Sequence, residues 1–301
     1  MDVSIIIVNY NTVHLIVDCI NSIKEKTSGI SYEIIVVDNH SDDYFQEVLE
    51  KNFGKTVKCL RLDNNVGFGR ANNAGAKIST GRYIFCLNPD TLLVNNAIKI
   101  LVDFLDQHNE VGSCGGNLID FNNRPALSYR QVLPSVTWEL CEMTQHKLDE
   151  VIFGKSWRFN FTGKPIAVKY ITGADLMVRR SLFEDLGGYS DDFFMYYEDT
   201  DLCLRIGKRT KIYSVPDAVI QHLEGQSTAG KEKGPSKTGL RLSEEGRKVY
   251  YRRNLKGLNL SICDCLYKLS LQLLSFKYSL RHSGFNAYKY RLDLLNNEST
   301  I

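Results

Sequence analysis

The sequence predicts an α/β protein: a mostly parallel central sheet flanked by helices, followed by a helical C-terminal extension. Three observations lead there. Continuous β-branched runs of strand length alternate with segments whose apolar residues recur at helical spacing, the pattern of strand–helix–strand units with right-handed crossovers. Polar residues close several of these runs, at the carboxyl ends where ligands of such sheets bind. The charge is also uneven: residues 1–230 carry 23 Lys and Arg against 29 Asp and Glu, whereas residues 231–301 carry 14 against 6. The near-neutral total of +2 is therefore an acidic body of −6 and a basic tail of +8. The expected division is a body over 1–230 and a tail over 231–301.

Each element follows from its pattern. Ser4–Val8 suits a strand buried on both faces and ends at Asn9-Tyr10-Asn11. Leu15, Ile16, Cys19, Ile20 and Ile23 mark the next helix, with Asn11 or Thr12 as its N-cap. Glu33–Val37 is a second strand ending at Asp38-Asn39, and a helix with Val48, Leu49 and Phe53 follows. Val57–Leu62 is a third strand, Ala71–Ile78 a helix, and Arg82–Leu87 a fourth strand ending at Asn88-Pro89-Asp90. Ala97, Ile98, Leu101, Phe104 and Leu105 form another helical face. From Asn117 to Lys169 the pattern weakens into loops and short helices that carry both tryptophans, Trp138 and Trp157. Tyr170–Arg179 predicts a strand, Ser181–Leu186 and Thr200–Gly207 predict helices, and Ile212–Val215 with Ala218–Gln221 close the body. Residues 240–295 are helical in pattern, with Leu255, Leu258, Ile262, Leu266 and Leu269 on one face.

Composition narrows the class. A chain that is 43% hydrophobic and 24% charged, with 22 Gly and 6 Pro, is neither disordered nor collagen-like nor of low complexity. The eight cysteines have no CxxC pair and no zinc-like spacing, which predicts buried reduced thiols. Met1-Asp2-Val3 lacks the basic start of a secretory signal. Leu269–Phe276, between Lys268 and Lys277, is too short to span a bilayer. A cytoplasmic location is expected.

Several constellations carry chemistry. Gly67-Phe68-Gly69 lacks a third glycine and follows the third strand, not the first, so it is not a nicotinamide-dinucleotide fingerprint. Asn64-Asn65-Val66-Gly67 before a helix N-terminus suits a base or phosphate, or is simply a glycine turn. Asp38, followed by Asn39, Ser41 and Asp42, reads either as an Asx turn or as an acceptor for a nucleotide base or ribose. Asp90 is a loop cap or a ligand for a hard divalent cation, which prefers oxygen donors. In Asp191–Asp201, Thr200 and Asp201 complement a helix dipole, while Phe193, Phe194, Tyr196 and Tyr197 before Glu198-Asp199 suit a sugar face beside a general base. His222, alone after a strand, is a structural histidine or a partner of Asp90.

Taken in order, six motifs over residues 3–225 resemble a family-2 glycosyltransferase of the GT-A, Rossmann-like fold, and most of all its bacterial rhamnosyltransferase-like members. They are Val3–Asn11, Val36-Val37-Asp38-Asn39, Asn65–Asn73, Leu87-Asn88-Pro89-Asp90-Thr91, Gly173-Ala174 and Glu198–Arg205. The resemblance implies that Asn9, Asn11, Asp38, Asn65, Gly67, Asn73, Asn88, Asp90, Gly173 and Glu198 bind the nucleotide sugar. It implies that Asp90 and His222 hold Mn²⁺ or Mg²⁺, with Asn88 replacing the first acid of a DxD-like motif, and that Asp199 is the general base. It further implies inversion in a single displacement, with deoxythymidine-diphosphate L-rhamnose as donor. The acceptor is expected to be a saccharide or a polyprenyl-diphosphate-linked glycan of bacterial surface polysaccharide synthesis. A uridine-diphosphate hexose, N-acetylhexosamine or galactofuranose is the alternative donor, and a non-catalytic nucleotide-sugar-binding paralogue the lower one.

The tail holds Lys231, Lys233, Lys237, Arg241, Arg247, Lys248, Arg252, Arg253 and Lys256 against Glu232, Glu244 and Glu245 within 231–256. This is a solvated helix surface, or a face for anionic lipid headgroups or a lipid-diphosphate acceptor at the inner side of the membrane. A nucleic-acid partner is not expected, because no helix-turn-helix, RNP motif or zinc knuckle accompanies the basic residues.

Overall fold

A computed structural model of the chain describes residues 1–223, 236–280 and 284–297. The strands are β1 Val3–Asn9, β2 Tyr32–Asp38, β3 Val57–Arg61, β4 Tyr83–Leu87, β5 Thr91–Leu93, β6 Val111–Ile119, β7 Tyr129–Arg130, β8 Ile166–Val168, β9 Tyr170–Ile171, β10 Asp175–Arg179 and β11 Lys211–His222. The helices are α1 Val13–Lys26, α2 Phe45–Phe53, α3 Phe68–Lys77, α4 Ala97–Gln107, α5 Val136–Met143, α6 Lys147–Phe153, α7 Arg180–Asp185, α8 Glu198–Gly207, α9 Lys237–Asn254, α10 Leu258–Ser279 and α11 Ala287–Asn297.

Among the described residues, nine strands form one sheet in the order β3-β2-β1-β4-β10-β6-β11-β5, with β8 also paired to β11. β3, β2, β1 and β4 run parallel, as do β6 and β11, while β10, β5 and β8 are antiparallel to their neighbours. β1, β2 and β4 are short, largely apolar and buried, as strands covered on both faces are, whereas β3 at the sheet edge is mostly exposed. Ile5, Ile7, Val36 and Phe85 pack in one core with Ile16 and Ile20 of α1 and Leu101 of α4. Register places Asn9 opposite Asp38 at the carboxyl edge.

β6 was not legible in the sequence. Its run VGSCGGNLI carries three glycines and has low strand propensity, yet it pairs with both β10 and β11. Those glycines admit close neighbours: a Cβ on Gly116 would meet the carbonyl oxygen of Ala218, and one on Gly115 would lie 2.6 Å from Ile171 Cγ2. The run Tyr170–Arg179 is two strands, β9 and β10, which pair in different sheets. The two expected closing strands form one long β11 with a register shift between Ser214 and Val219. Thr12 is the N-cap residue of α1, one of the two expected, but its side chain makes no cap hydrogen bond, and Asp43 Oδ2 accepts the Val13 N–H at 3.0 Å instead. All eight cysteines are free, but Cys59 and Cys265 are exposed, against the expectation of burial.

The chain forms two units. The first comprises Met1–Gln131, Lys155–Phe194 and Glu198–Ala229, and contains the large sheet. The second comprises Val132–Gly154, Met195–Tyr197 and Gly230–Ile301, and is helical where described. The expected boundary at 230/231, and with it Lys231 and Lys233, lies outside the described residues. The weakly patterned Val132–Gly154 supplies α5 and α6 to the second unit, which sequence periodicity did not anticipate. Within that unit a polar network is buried alongside the apolar Cys141, Leu240, Cys263 and Leu271. Arg247 pairs with Glu139 at 3.0 Å and Asp264 at 3.2 Å, Tyr251 donates to Glu139 at 2.5 Å, and Tyr267 donates to Glu244. The Arg247 guanidinium lies between the rings of Tyr251 and Tyr267, 4.1 and 3.9 Å from their centroids. No described helix is long and apolar enough to cross a membrane.

Candidate active site

The site is built on loops at the carboxyl edge of the first unit's sheet. The first cluster follows β1 and β2. Asn9 is fully buried, and its amide donates to Asp38 Oδ1 at 2.9 Å, Ser41 Oγ at 3.1 Å and Asp43 Oδ1 at 3.0 Å. Asp38 is also fully buried, and its second oxygen accepts the Ser41 N–H at 3.2 Å and faces Arg61 at 3.5 Å. Both residues therefore face each other and the loop after β2, not open space. The Asp38 side chain closes its own loop at the Ser41 N–H, three residues on, and does not cap the next helix, which begins at Phe45. Asn11 takes a positive φ of 58° and accepts the Asp42 N–H at 2.8 Å, which locks the β1 loop to the β2 loop.

The second cluster is the glycine turn before α3. Asn39, absent from the expected site residues, holds it: its amide donates to Asn65 Oδ1 at 2.8 Å and its Oδ1 accepts the Val66 N–H at 2.9 Å. Asn65 Oδ1 also accepts the Gly67 N–H at 3.0 Å. Gly67 has φ 89°, ψ 170°, a region only glycine occupies readily, and a Cβ there would strike the Phe194 carbonyl. The same carbonyl accepts the Phe68 N–H at 3.0 Å. Asn73 was expected to touch the donor, but it clamps Tyr189, donating to its carbonyl at 2.8 Å and accepting its N–H at 2.9 Å. Asn73 is a positioning residue for the 188–194 turn.

The third cluster joins the ends of β4 and β11. Asp90 is 2% exposed, and the His222 ring nitrogen Nε2 lies 3.3 Å from its Oδ1. Asn88 brings its side-chain amide to 3.4 Å from the same His222 nitrogen. Strand pairing sets this meeting, because His222 sits opposite Thr91 in the β11–β5 ladder. Among the described residues no third His, Cys, Asp or Glu joins the pair in a ligand group.

The fourth cluster is the N-terminus of α8. Asp199 is partly exposed; its Oδ2 accepts the Gly173 N–H at 2.9 Å and its Oδ1 the Thr200 N–H at 2.6 Å. Glu198 is buried, and its Oε2 has no hydrogen-bond partner among the described residues. Burial, and then the charge of Asp199, push the Glu198 carboxyl up to about 8. Burial also raises Asp199, opposed by its hydrogen bonds from Gly173 and Thr200. The Gly173 and Thr200 N–H groups donate to Asp199, so the negative charge of the pair belongs there and the proton on Glu198. Asp201 lies in the first turn of α8, where its charge complements the dipole as expected, and it also pairs with Arg205 at 2.7 Å.

The expected aromatic wall does not form as a unit. Phe193 is buried in the fold, Tyr197 packs on Tyr250 at 5.7 Å between centroids, and Tyr196 and Tyr197 both have positive φ, 70° and 68°. A further acid, unsuspected from sequence, lies beneath the site. Asp175 at the start of β10 is fully buried, accepts the Gly116 N–H at 2.6 Å, and is raised well above the carboxylate range by burial.

The sheet order, with acids and amides gathered at its carboxyl edge, defines the GT-A glycosyltransferase fold. The chain belongs to glycosyl transferase family 2, whose model matches residues 4–187. It is 26% identical over 220 residues to the N-acetylglucosaminyl-diphospho-decaprenol L-rhamnosyltransferase of Mycobacterium tuberculosis, covering 65% of this chain and 67% of that protein. It is 27% identical over 211 residues to the low-salt glycan biosynthesis hexosyltransferase Agl10 of Haloferax volcanii, covering 68% of this chain and 61% of that one. The solved structure of S. aureus TarS 1-349 in complex with UDP-GlcNAc superposes with a TM-score of 0.55 at 16% identity, over 93% of this chain and 73% of that chain.

Proposed function

We propose that this glycosyltransferase transfers a sugar from a nucleoside diphosphate to a saccharide or polyprenyl-diphosphate-linked acceptor, with inversion at the anomeric carbon. One observation carries the reading. The dipeptide Gly173-Ala174 binds both candidate catalytic loops, through the Gly173 N–H to Asp199 and the Ala174 carbonyl to the Asn88 N–H at 3.0 Å. A base and a diphosphate site are thereby held on one short piece of backbone.

In the proposed reaction the acceptor hydroxyl oxygen bonds to the anomeric carbon as the bond from that carbon to the diphosphate oxygen breaks. The hydroxyl proton passes to Asp199, and the nucleoside diphosphate leaves with the bonding pair. Protonated Glu198 leaves Asp199 as the charged member of the pair, ready to accept that proton. Asn39, Asn65 and Gly67 shape the glycine turn for the nucleotide. Asn9 and Asp38 act beneath it by fixing the loops after β1 and β2, which revises the direct donor contact first assigned to them.

The pair Asp90 and His222 suits a small divalent cation, because a buried carboxylate and an imidazole converge there. Asp90 and His222 would hold such an ion, which would supply positive charge against the departing diphosphate. Asn88 adds a neutral amide where an acid would strengthen the site.

For the donor we favour deoxythymidine-diphosphate L-rhamnose, supported by similarity to the mycobacterial rhamnosyltransferase. UDP-linked sugars are the second reading, supported by the UDP-GlcNAc complex of TarS. Thermal-shift and donor-hydrolysis measurements against both nucleotide-sugar classes, with and without Mn²⁺, test this. Stabilisation by one class decides the donor. Absence of any response to nucleotide sugars overturns the reading.

A further inference from the structure

We propose that α10 and the cationic cleft beside it dock on an anionic membrane surface, with the cleft taking a lipid phosphate and the outer face of α10 meeting the acyl region. The inference goes beyond the transferase reading and is tested without donor or turnover.

Helix α10 is apolar on two faces. Cys263, Tyr267 and Leu271 are buried inward. Outward, Leu258, Leu269, Leu273, Phe276 and Leu280 are 75, 42, 54, 67 and 71% exposed. At roughly 100° per residue these five fall within an arc of roughly 60°, one line along the helix. Single exposed leucines are ordinary, but four large apolar side chains aligned on α10 and a fifth at its C-cap, Leu280, form a surface that seeks cover. Leu258 and Leu269 belong to the stripe that sequence periodicity marked as a helical face, and the structure leaves them outside. Exposed Lys268 and Lys277 lie on opposite flanks of the stripe. An apolar line with basic flanks matches a helix lying in the plane of a lipid headgroup layer.

The cleft adds the second observation. It encloses about 310 Å³ and is lined by Arg247, Lys248, Arg252 and Lys268 against the single carboxylate of Asp264, with Leu260 at its wall. Arg247, 4% exposed, is held rigid between two tyrosine rings, and it engages Asp264 at 3.2 Å. Arg247 is answered by Glu139 and Asp264 together, so the cationic character of the cleft rests on Arg252 and Lys268, and arginine and lysine are the residues that recognise phosphate. Lys268 lines the cleft and is the residue before Leu269 of the stripe, so phosphate and apolar contacts are adjacent, as in an amphiphile. Pairing of two copies through the stripe would bring like-charged lysine flanks together, whereas an anionic surface satisfies both features at once.

Sedimentation of the full chain with vesicles of phosphatidylcholine alone, or mixed with phosphatidylglycerol, tests the proposal. Binding to the mixed vesicles only is expected, falling about tenfold in R252A/K268A and about tenfold in L273S/F276S. All four residues are exposed, and circular dichroism and thermal unfolding check that the variants fold as the parent does. No binding to mixed vesicles, or equal binding of parent and both double variants, overturns it. Inorganic pyrophosphate is the second arm. If it raises the melting temperature of the parent but not of R252A/K268A while the parent leaves mixed vesicles unbound, the cleft serves a free phosphate and the lipid assignment fails. A dimer that L273S/F276S dissolves, without vesicle binding by the parent, gives the stripe to a second copy and also overturns it.

Discussion

Gly173 donates its backbone N–H to Asp199 Oδ2 at 2.9 Å, so the carboxylate at the head of α8 is aimed by a strand-edge residue 26 positions earlier in the chain. With Thr200 holding the other oxygen at 2.6 Å, the Asp199 carboxylate has a fixed orientation before any substrate arrives. A pre-oriented base is worth more than the same acid on a free rotamer.

Asp199→Asn should abolish transfer, with a loss of about 10²–10⁴-fold in kcat, because the amide cannot take the acceptor proton. Its similar shape preserves donor binding. Turnover and calorimetric donor titration on the same sample check both halves, and retained turnover refutes the assignment.

Gly67→Ala and Gly173→Ala should differ sharply. At Gly67 a side chain enters a glycine-only region and strikes Phe194, costing about 1–3 kcal/mol of stability. At Gly173 the nearest atom to a Cβ is Phe68 Cε1 at 3.4 Å and the N–H to Asp199 is kept, so stability and activity should stay near those of the parent. Denaturant midpoints of the two variants decide.

Glu198→Gln should flatten the dependence of stability on pH. The folded state raises this carboxyl from 4.5 to about 8, so its stability contribution is complete below the ordinary glutamate range and is lost as pH rises through the raised value. A glutamine carries no proton to lose. Its melting temperature should therefore gain on the parent steadily between pH 5 and pH 8, while Asp199, shifted the same way, leaves a smaller slope. A constant difference across that range refutes the buried neutral acid.

Arg247→Ala should destabilise the helical unit by about 3–5 kcal/mol, because it leaves Glu139 buried at 1% exposure without its cation. Glu139→Gln in the same background should recover part of the loss. Thermal unfolding of the single and double variants measures it.

The sequence was most readable where one local pattern served one purpose. β1, β2 and β4 are apolar runs with helices on both faces, so their period and their polar ends were visible together. Asp38, Asp90 and Asp199 were found because each closes such a run or opens a helix. β6 was hidden because its glycines answer to Ala218 and Ile171, neighbours more than 50 residues away. Asn73 and Asn39 carried the right side chains in the right motifs, yet their hydrogen bonds go to Tyr189 and Val66, and only the packed loops show that. Asp175 had no signal beyond being one acid at the edge of an apolar run.

The split of charge that divides an acidic body from a basic tail was fixed by composition, and so were the strand–helix alternation and the family motifs. These depend on residue type and spacing, which the chain carries before it folds. Tertiary structure decided the rest: that Asp90 meets His222 across 132 residues, that Asp199 leans on Gly173, and that the leucine stripe of α10 faces out while tyrosines face in. Helical periodicity fixes which residues share a face. Only packing against particular neighbours fixes which face is buried.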